Sequence, residues 1–382
     1  MRTAVKAGDT VTAAVTTAPG RTELRELTVP ETGPTDGLLL VEAAGMCGSD
    51  VKMYGADLPE RVMGHENVGT LANVGEIAAE RWGFSDGDRV LLEEYLPCGH
   101  CHFCRTSEFR SCLASDTSAN PGAVRFGSTP LSVAPGLWGG YGEVMYVHPS
   151  AVPHRVPDSV PSALATLGLP LGNGYQWVCL DGRVRAGETV VVLGPGQSGI
   201  GAVVAAKQAG ATVVAVGRAR DKARLEVARR LGADTVAMTG PDGDTTEVEV
   251  RERVLGLTAG RGADLVVDAA AGNDDTVCFA VDLLAKRGRL VLAAASSEPL
   301  ASFPVWQVSR KQIGVQAVRG HSWESVEWAL ALLASDTLPL DLMSTYVGGL
   351  ADVDYALRAT AGETGTPVLH ATILPQGSPN AR

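Results

Sequence analysis

The stretch that most constrains this chain is the apolar run Thr189–Leu193 and the six residues after it, Gly194-Pro195-Gly196-Gln197-Ser198-Gly199. An alanine- and valine-rich segment, Ile200 to Ala209, comes next. The order reads as strand, tight turn, helix, with the Gly-x-Gly-x-x-Gly spacing of a dinucleotide site. Gly194 permits the turn, Gly196 lets backbone approach a pyrophosphate, and Gly199 lets the helix pack closely. Free N–H groups and partial positive charge at the helix start then face the phosphates, with Gln197 and Ser198 in the first turn. Many Gly-rich loops share this spacing, so its surroundings must decide. From about Pro161 onward apolar strands alternate with amphipathic helices, the mark of a parallel α/β sheet. Strands are expected at Ala211–Val216, Asp264–Ala269 and Leu290–Ala294, and helices at Asp221–Leu231, Asp274–Ala285 and near Ser325–Ala334.

The first 150 residues have another texture. Short alternating segments predict strands around Ala13–Val15, Leu24–Val29, Leu38–Glu42, Val68–Val74, Arg89–Glu93 and Tyr141–Val147, with Gly87-Asp88 as a turn. Residues 113–140 read as a long loop, and the Gln376–Arg382 tail as frayed. A chain of 382 residues, 45% apolar and 20% charged, suits two folded domains. A net charge of −11 without a basic block argues against nucleic-acid or membrane-surface partners. No apolar run has membrane-spanning length, and Met1-Arg2-Thr3-Ala4 opens no signal core. The expectation is a cytoplasmic protein acting on a small molecule.

Four of the seven cysteines crowd into residues 98–112. Cys98, Cys101, Cys104 and Cys112 have the spacing C-x2-C-x2-C-x7-C, which can close a tetrahedral structural zinc site. An iron–sulfur cluster or four free thiols are the alternatives. His100 and His102 are surplus to such a site, and Cys179 and Cys278 sit in apolar segments as buried hydrophobes. Trp138-Gly139-Gly140-Tyr141 reads as a pocket edge or as ordinary loop packing. Tyr54, Tyr95 and Trp306 read as pocket lining or as core. His148, His154, His321 and His370 carry no specific role.

Four stretches, in order, resemble the zinc-containing medium-chain dehydrogenase/reductase family of alcohol, sorbitol and threonine dehydrogenases. They are Gly45-Met46-Cys47-Gly48-Ser49-Asp50, Gly64-His65-Glu66-Asn67-Val68-Gly69 with Gly75, the four-cysteine lobe, and the glycine turn at 194–199. The resemblance implies an α/β protein: a mainly β GroES-like catalytic domain with a structural zinc lobe, and a doubly wound Rossmann domain. Its ranges are 1–157 (zinc lobe 98–112), 158–300 for the NADP-binding domain, and 301–382 for the return to the catalytic domain. It also implies a cleft active site and a homodimer or homotetramer.

The same resemblance implies a catalytic zinc on Cys47 and His65, with Asp50 orienting the histidine and Glu66 as an additional or exchangeable ligand. That ion would act as a Lewis acid on the substrate oxygen. Ser49 would hydrogen-bond that oxygen. Lys52 stands where relatives often continue the proton relay, or is a solvated surface lysine. At the third-ligand position this chain has Leu169, which cannot bind zinc. Either Glu66 completes the site, or the zinc is weakly held, or it is absent. The expected activity is zinc-assisted hydride transfer between NADP(H) and a small alcohol or carbonyl. The alternatives are NADPH-dependent reduction of an activated C=C or iminium without catalytic zinc, and a non-catalytic nucleotide-binding homologue. After the second strand of the nucleotide domain come Gly217, Arg218 and Arg220, with no carboxylate at the strand end. This favours NADP(H) over NAD. Asp221 reads as a helix cap.

Overall fold

The computed structural model describes residues 4–270, 273–294, 299–365 and 368–377. The tail beyond residue 377 lies outside them. The chain divides into two compact units. One holds the residues up to Leu169, Leu330–Asp336, and the chain from Met343 on; the other holds the described residues of Pro170–Ala329 with Thr337–Leu342.

The second unit is built on a six-stranded parallel sheet. In spatial order its strands are Thr235–Thr239, Thr212–Arg218, Thr189–Leu193, Ala263–Asp268, Leu284–Leu292 and Gly314–Ala317. Numbered along the chain, that order is 3-2-1-4-5-6, the doubly wound arrangement expected from the sequence. All five residues of Thr189–Leu193 are buried. Val191 pairs in register with Val214 on one side and Val266 on the other. A strand covered on both faces has to be apolar throughout, which is why this run lacks alternation. The strand order reverses beside Thr189–Leu193, so the crevice at its C-terminal end is where ligands of such sheets bind.

Helix Gln197–Gln208 starts directly at that point, with Gly196 as its N-cap. Helix Glu247–Leu257 was not anticipated. Its Glu-Val-Glu-Val start mimics a strand's alternation, but Thr246 closes a capping box. The Thr246 hydroxyl accepts from the Glu249 amide at 3.2 Å, and the Glu249 carboxylate accepts from the Thr246 amide at 2.7 Å.

The first unit carries a seven-stranded sheet and a three-stranded one. In the larger, strand Gly37–Met46 lies between Glu66–Ala72 and His370–Ile373, antiparallel to both. Gly45 pairs with Glu66 on one side and with Thr372 on the other. The C-terminal segment is therefore woven into the N-terminal sheet, and residues far apart in sequence flank one strand end. The strand Arg89–Leu92 pairs with Glu66–Ala72 and with Pro153–Arg155. Residues 113–140 contain neither helix nor strand, as expected of the loop, and the strand expected from Tyr141 begins only at Val144.

Two expectations about the chain's course need correction. The return to the first unit does not begin at residue 301, because Gly314–Ala317 is the sixth strand of the parallel sheet, in register with Arg289–Leu292. All four of its residues are exposed, so no apolar pattern marked it. The first unit also runs on to Leu169 rather than ending at 157. No helix among the described residues is long and apolar enough to cross a membrane.

Candidate functional site

The strand Gly37–Met46 ends at Cys47, which N-caps helix Gly48–Tyr54. The turn expected at 45–50 is thus a helix entry. Asp50, fully buried, locks it: one carboxylate oxygen accepts the Cys47 amide at 2.9 Å. The other lies 3.3 Å from Nδ1 of His65. His65 and Glu66 come from the turn and first residue of the neighbouring strand, and both are buried. One donor atom from each of Cys47, His65 and Glu66 lies within 4.8 Å of the other two. A thiol, an imidazole and a carboxylate this close form a donor set suited to zinc. Asp50 occupies Nδ1, so Nε2 is the nitrogen left to a metal. Burial pulls the His65 imidazole down. The charge and hydrogen bond of Asp50, with smaller help from Cys47 and Glu94, outweigh it and hold its pKa well above the usual value. A cation on Nε2 would take the place of that proton.

Ser49 places its hydroxyl 3.4 Å from Nε2 of His65. Lys52 is exposed on the same helix. Leu169 is 2% exposed and offers no donor.

The fold adds three side chains: His370 and Glu94, which no sequence pattern singles out, and Tyr141, expected as pocket edge or loop packing. His370 donates or accepts at Nε2, 3.1 Å from a Glu66 oxygen, and both residues are buried. Tyr141 is fully buried, with its hydroxyl 3.5 Å from the Gly45 carbonyl. Burial first, then the charges of Asp50, Glu66 and Cys47, push its phenol well up, so it stays protonated. Its ring leans on Gly64, where a Cβ would come 2.7 Å from the ring and φ is +91°. The Gly-Gly pair before Tyr141 was the one local hint. Glu94 completes the group, with a carboxylate oxygen 3.8 Å from Nε2 of His65.

Cys98, Cys101, Cys104 and Cys112 form a second donor cluster, again within 4.8 Å of one another. Cys101 and Cys104 sulfurs are 3.5 Å apart, and Cys98 and Cys104 sulfurs 4.0 Å. These values bracket the edge of about 3.8 Å that four Zn–S bonds of about 2.3 Å impose. Burial raises the Cys112 thiol, but the amides of Cys98, Ala114 and Ser115 overcome this and bring it down to about 6. Cys104 is pushed up to about 12 by burial and by its neighbours Cys101 and Cys112. Four thiolates so close repel one another, and a divalent cation removes that conflict. His100 is exposed, with Nδ1 2.8 Å from the Cys98 carbonyl, and so stands outside the sulfur set.

In the nucleotide unit, a cleft of about 210 Å³ opens at the C-terminal ends of Thr189–Leu193 and Thr212–Arg218. Gly194, Gly196, Gly217, Arg218 and Arg220 line it. Gly194 has φ +89°. A Cβ on Gly199 would fall on the Gly194 carbonyl oxygen, whereas one on Gly196 would meet nothing within 4 Å. The backbone at Gly196 is therefore open to a ligand, while Gly199 serves the turn itself. Ser198 lies 3.4 Å from the Asn173 amide, and Gln197 begins the helix. Gly217 does more than leave room for a ligand: a Cβ there would come 2.9 Å from Pro195 and 3.0 Å from Asp221.

Asp221 accepts the Arg218 amide at 3.0 Å and pairs with Arg224 at 3.4 Å, so both its oxygens are engaged. Arg224 also lines the cleft, a third arginine that the sequence reading passed over. Glu247 and Asp275 stand on the same wall. Burial and Asp275 raise the Glu247 carboxyl, and Arg218 opposes them.

A parallel dinucleotide-type sheet, a four-thiol lobe and a Cys–His–Glu cluster together define a class, the zinc-binding dehydrogenases. Residues 33–158 match the family model described as alcohol dehydrogenase GroES-like domain, and residues 199–335 that described as zinc-binding dehydrogenase. A protein of Mycobacterium tuberculosis described as a probable alcohol dehydrogenase is 35% identical over 376 residues, covering 96% of this chain and 99% of the relative. Among solved structures, the alcohol dehydrogenase TADH from Thermus sp. ATN1 is 26% identical, with a TM-score of 0.80 over 95% of this chain and 99% of that one. An alcohol dehydrogenase from Thermotoga maritima shares the fold with a TM-score of 0.83 at 22% identity, over 96% of this chain and 100% of that one. The chain belongs to the zinc-containing medium-chain dehydrogenase/reductase family, a family of oxidoreductases.

Proposed function

We propose that this chain is a zinc-assisted alcohol dehydrogenase or carbonyl reductase that moves a hydride between NADP(H) and a small alcohol, aldehyde or ketone. The observation that carries the reading is the donor set of Cys47, His65 and Glu66, gathered in one buried corner of the first unit. When bound, the zinc polarises the substrate oxygen and the nicotinamide exchanges the hydride. Cys47, Nε2 of His65 and a Glu66 oxygen would hold the ion. Asp50 fixes the imidazole tautomer through Nδ1. His370 holds the second carboxylate oxygen of Glu66 in place. Ser49, beside Nε2, is the hydroxyl that exchanges the substrate's proton, and exposed Lys52 lies one turn further along the helix toward solvent. Cys98, Cys101, Cys104 and Cys112 hold a second, structural zinc. The experiment that tests this activity is NADPH oxidation over a panel of aldehydes and ketones, with the reverse reaction over the matching alcohols.

Gly194–Gly199 and the start of the helix at Gln197 would hold the cofactor's pyrophosphate. NADP(H) is preferred over NAD(H) because Arg218, Arg220 and Arg224 line the cleft, and Asp221, just past the strand end, is already engaged by an amide and an arginine. A charged hydrogen bond of about 1.5–3 kcal/mol corresponds to roughly ten- to hundredfold in affinity. Arg218→Ala is therefore expected to raise the NADPH dissociation constant by that factor and leave NADH binding unchanged. Equal NADPH affinity in the variant, measured by fluorescence titration, would contradict this assignment.

The working form is a cytoplasmic homodimer or homotetramer, with no nucleic-acid or membrane partner. Support for self-association comes from the edge strand Gly314–Ala317, exposed along its length, with Val305 at 64% and Trp306 at 69% exposure nearby. The acidic net charge of −11 supports the absence of nucleic-acid and membrane-surface partners.

A further inference from the structure

The geometry points to Glu94 as a further ligand of the catalytic metal, standing in for the donor that Leu169 cannot supply. This inference rests on the reading of Cys47, His65 and Glu66 as a metal site. An open catalytic zinc site takes three protein donors, and the third here is compromised. Glu66 is 2% exposed and its Oε2 is already engaged by buried His370 at 3.1 Å. With Oε2 held by His370, Glu66 has a single oxygen to offer a metal.

Glu94 differs on each count. Its side chain is 25% exposed, and its Oε2 lies 3.8 Å from Nε2 of His65. That nitrogen is the one Asp50 leaves to a metal. Two donors on one tetrahedral ion, with bonds of about 2.0–2.2 Å, lie about 3.3–3.5 Å apart. Glu94 is thus within a few tenths of an ångström of sharing an ion with His65. It stands outside the mutual set that Cys47, His65 and Glu66 form, so a side-chain rotation is needed to bring it in. Partial exposure leaves room for that rotation. A ligand that swings in and out suits a position that a substrate oxygen must also take.

The neighbouring carboxylate shows that this placement is specific to Glu94. Glu93 is fully buried and lies 3.2 Å from fully buried His154. The two consecutive acids therefore serve different ends: Glu93 tethers strand Arg89–Leu92 to Pro153–Arg155, and Glu94 faces the donor cluster. That same strand pairs with Glu66–Ala72, Asn67 opposite Leu92, so the sheet register fixes Glu94 beside the histidine.

The test uses the full chain and two readouts besides turnover: zinc retention against a graded chelator, and the visible spectrum of the cobalt-substituted catalytic site. Wild type is expected to hold two zinc ions per chain. Glu94→Gln and Glu94→Ala are each expected to loosen the weaker ion at least tenfold and shift the cobalt band, and Glu94→Asp to restore part of both. The lobe zinc and the NADPH affinity should stay unchanged, which reports a folded protein. If wild type and both variants hold two ions with equal affinity and superimposable cobalt spectra, Glu94 is no ligand, while the metal-site reading survives. If wild type holds only the lobe ion, the reading of Cys47, His65 and Glu66 falls, and the role of Glu94 with it.

Discussion

Cys47→Ala is expected to lower the metal content from two zinc ions per chain to one, and turnover by about a thousandfold or more. A Lewis acid on the substrate oxygen contributes several kcal/mol to transition-state stabilisation, and each 1.36 kcal/mol is about tenfold in rate. Removing the thiolate takes away the one sulfur donor and leaves an imidazole, a carboxylate already held by His370 and the partly exposed Glu94, a set that holds the ion far more weakly. The fold should survive. Cys47 contributes to helix Gly48–Tyr54 through its backbone amide, which Asp50 accepts at 2.9 Å, and alanine keeps that amide. NADPH affinity should therefore be unchanged, because the cofactor cleft is lined wholly by residues of the other unit. Metal analysis and steady-state kinetics on the same sample check both halves. A variant that keeps two ions and full turnover would remove Cys47 from the site.

Cys112→Ser is expected to act on stability. Cys112 is fully buried, and three amides hold its thiol at about 6, so it is the thiolate poised in the lobe before any ion arrives. Its loss should release the lobe zinc and destabilise the first unit by at least about 3 kcal/mol, since structural zinc binding is itself folding free energy. The nucleotide unit has its own core around Val191, Val214 and Val266 and should still bind NADPH. Thermal melts with and without chelator, followed by cofactor titration, separate these effects. Unaltered melting with retained zinc would mean that three thiolates suffice.

What could be read from the sequence was whatever depends on neighbours in sequence. The four cysteines sit within fifteen residues, so a short loop is enough to gather their sulfurs within 4.8 Å of one another. The glycine turn joins a strand and a helix that are consecutive, and the crevice follows from strand order. Cys47 and His65 came from the resemblance, and the sheet register explains why they meet. His370 could not be found this way. It reaches Glu66 only because Gly45 pairs with Glu66 on one side and Thr372 on the other. Glu94 was hidden for a similar reason, since an acid after a strand reads as solvated until the neighbouring strand brings His65 to it. The late boundary of the nucleotide unit was hidden by Gly314–Ala317, an edge strand with no buried face to pattern its residues.

On the proposed reading, a metal held by Cys47, His65 and Glu66 supports hydride transfer despite Leu169. The most direct measurement is zinc per chain in the purified protein, paired with NADPH turnover on the same preparation. Two zinc ions per chain with turnover of aldehydes or ketones is the predicted result. One zinc ion per chain, held by the four-cysteine lobe, with NADPH consumed only by conjugated double bonds, would contradict it.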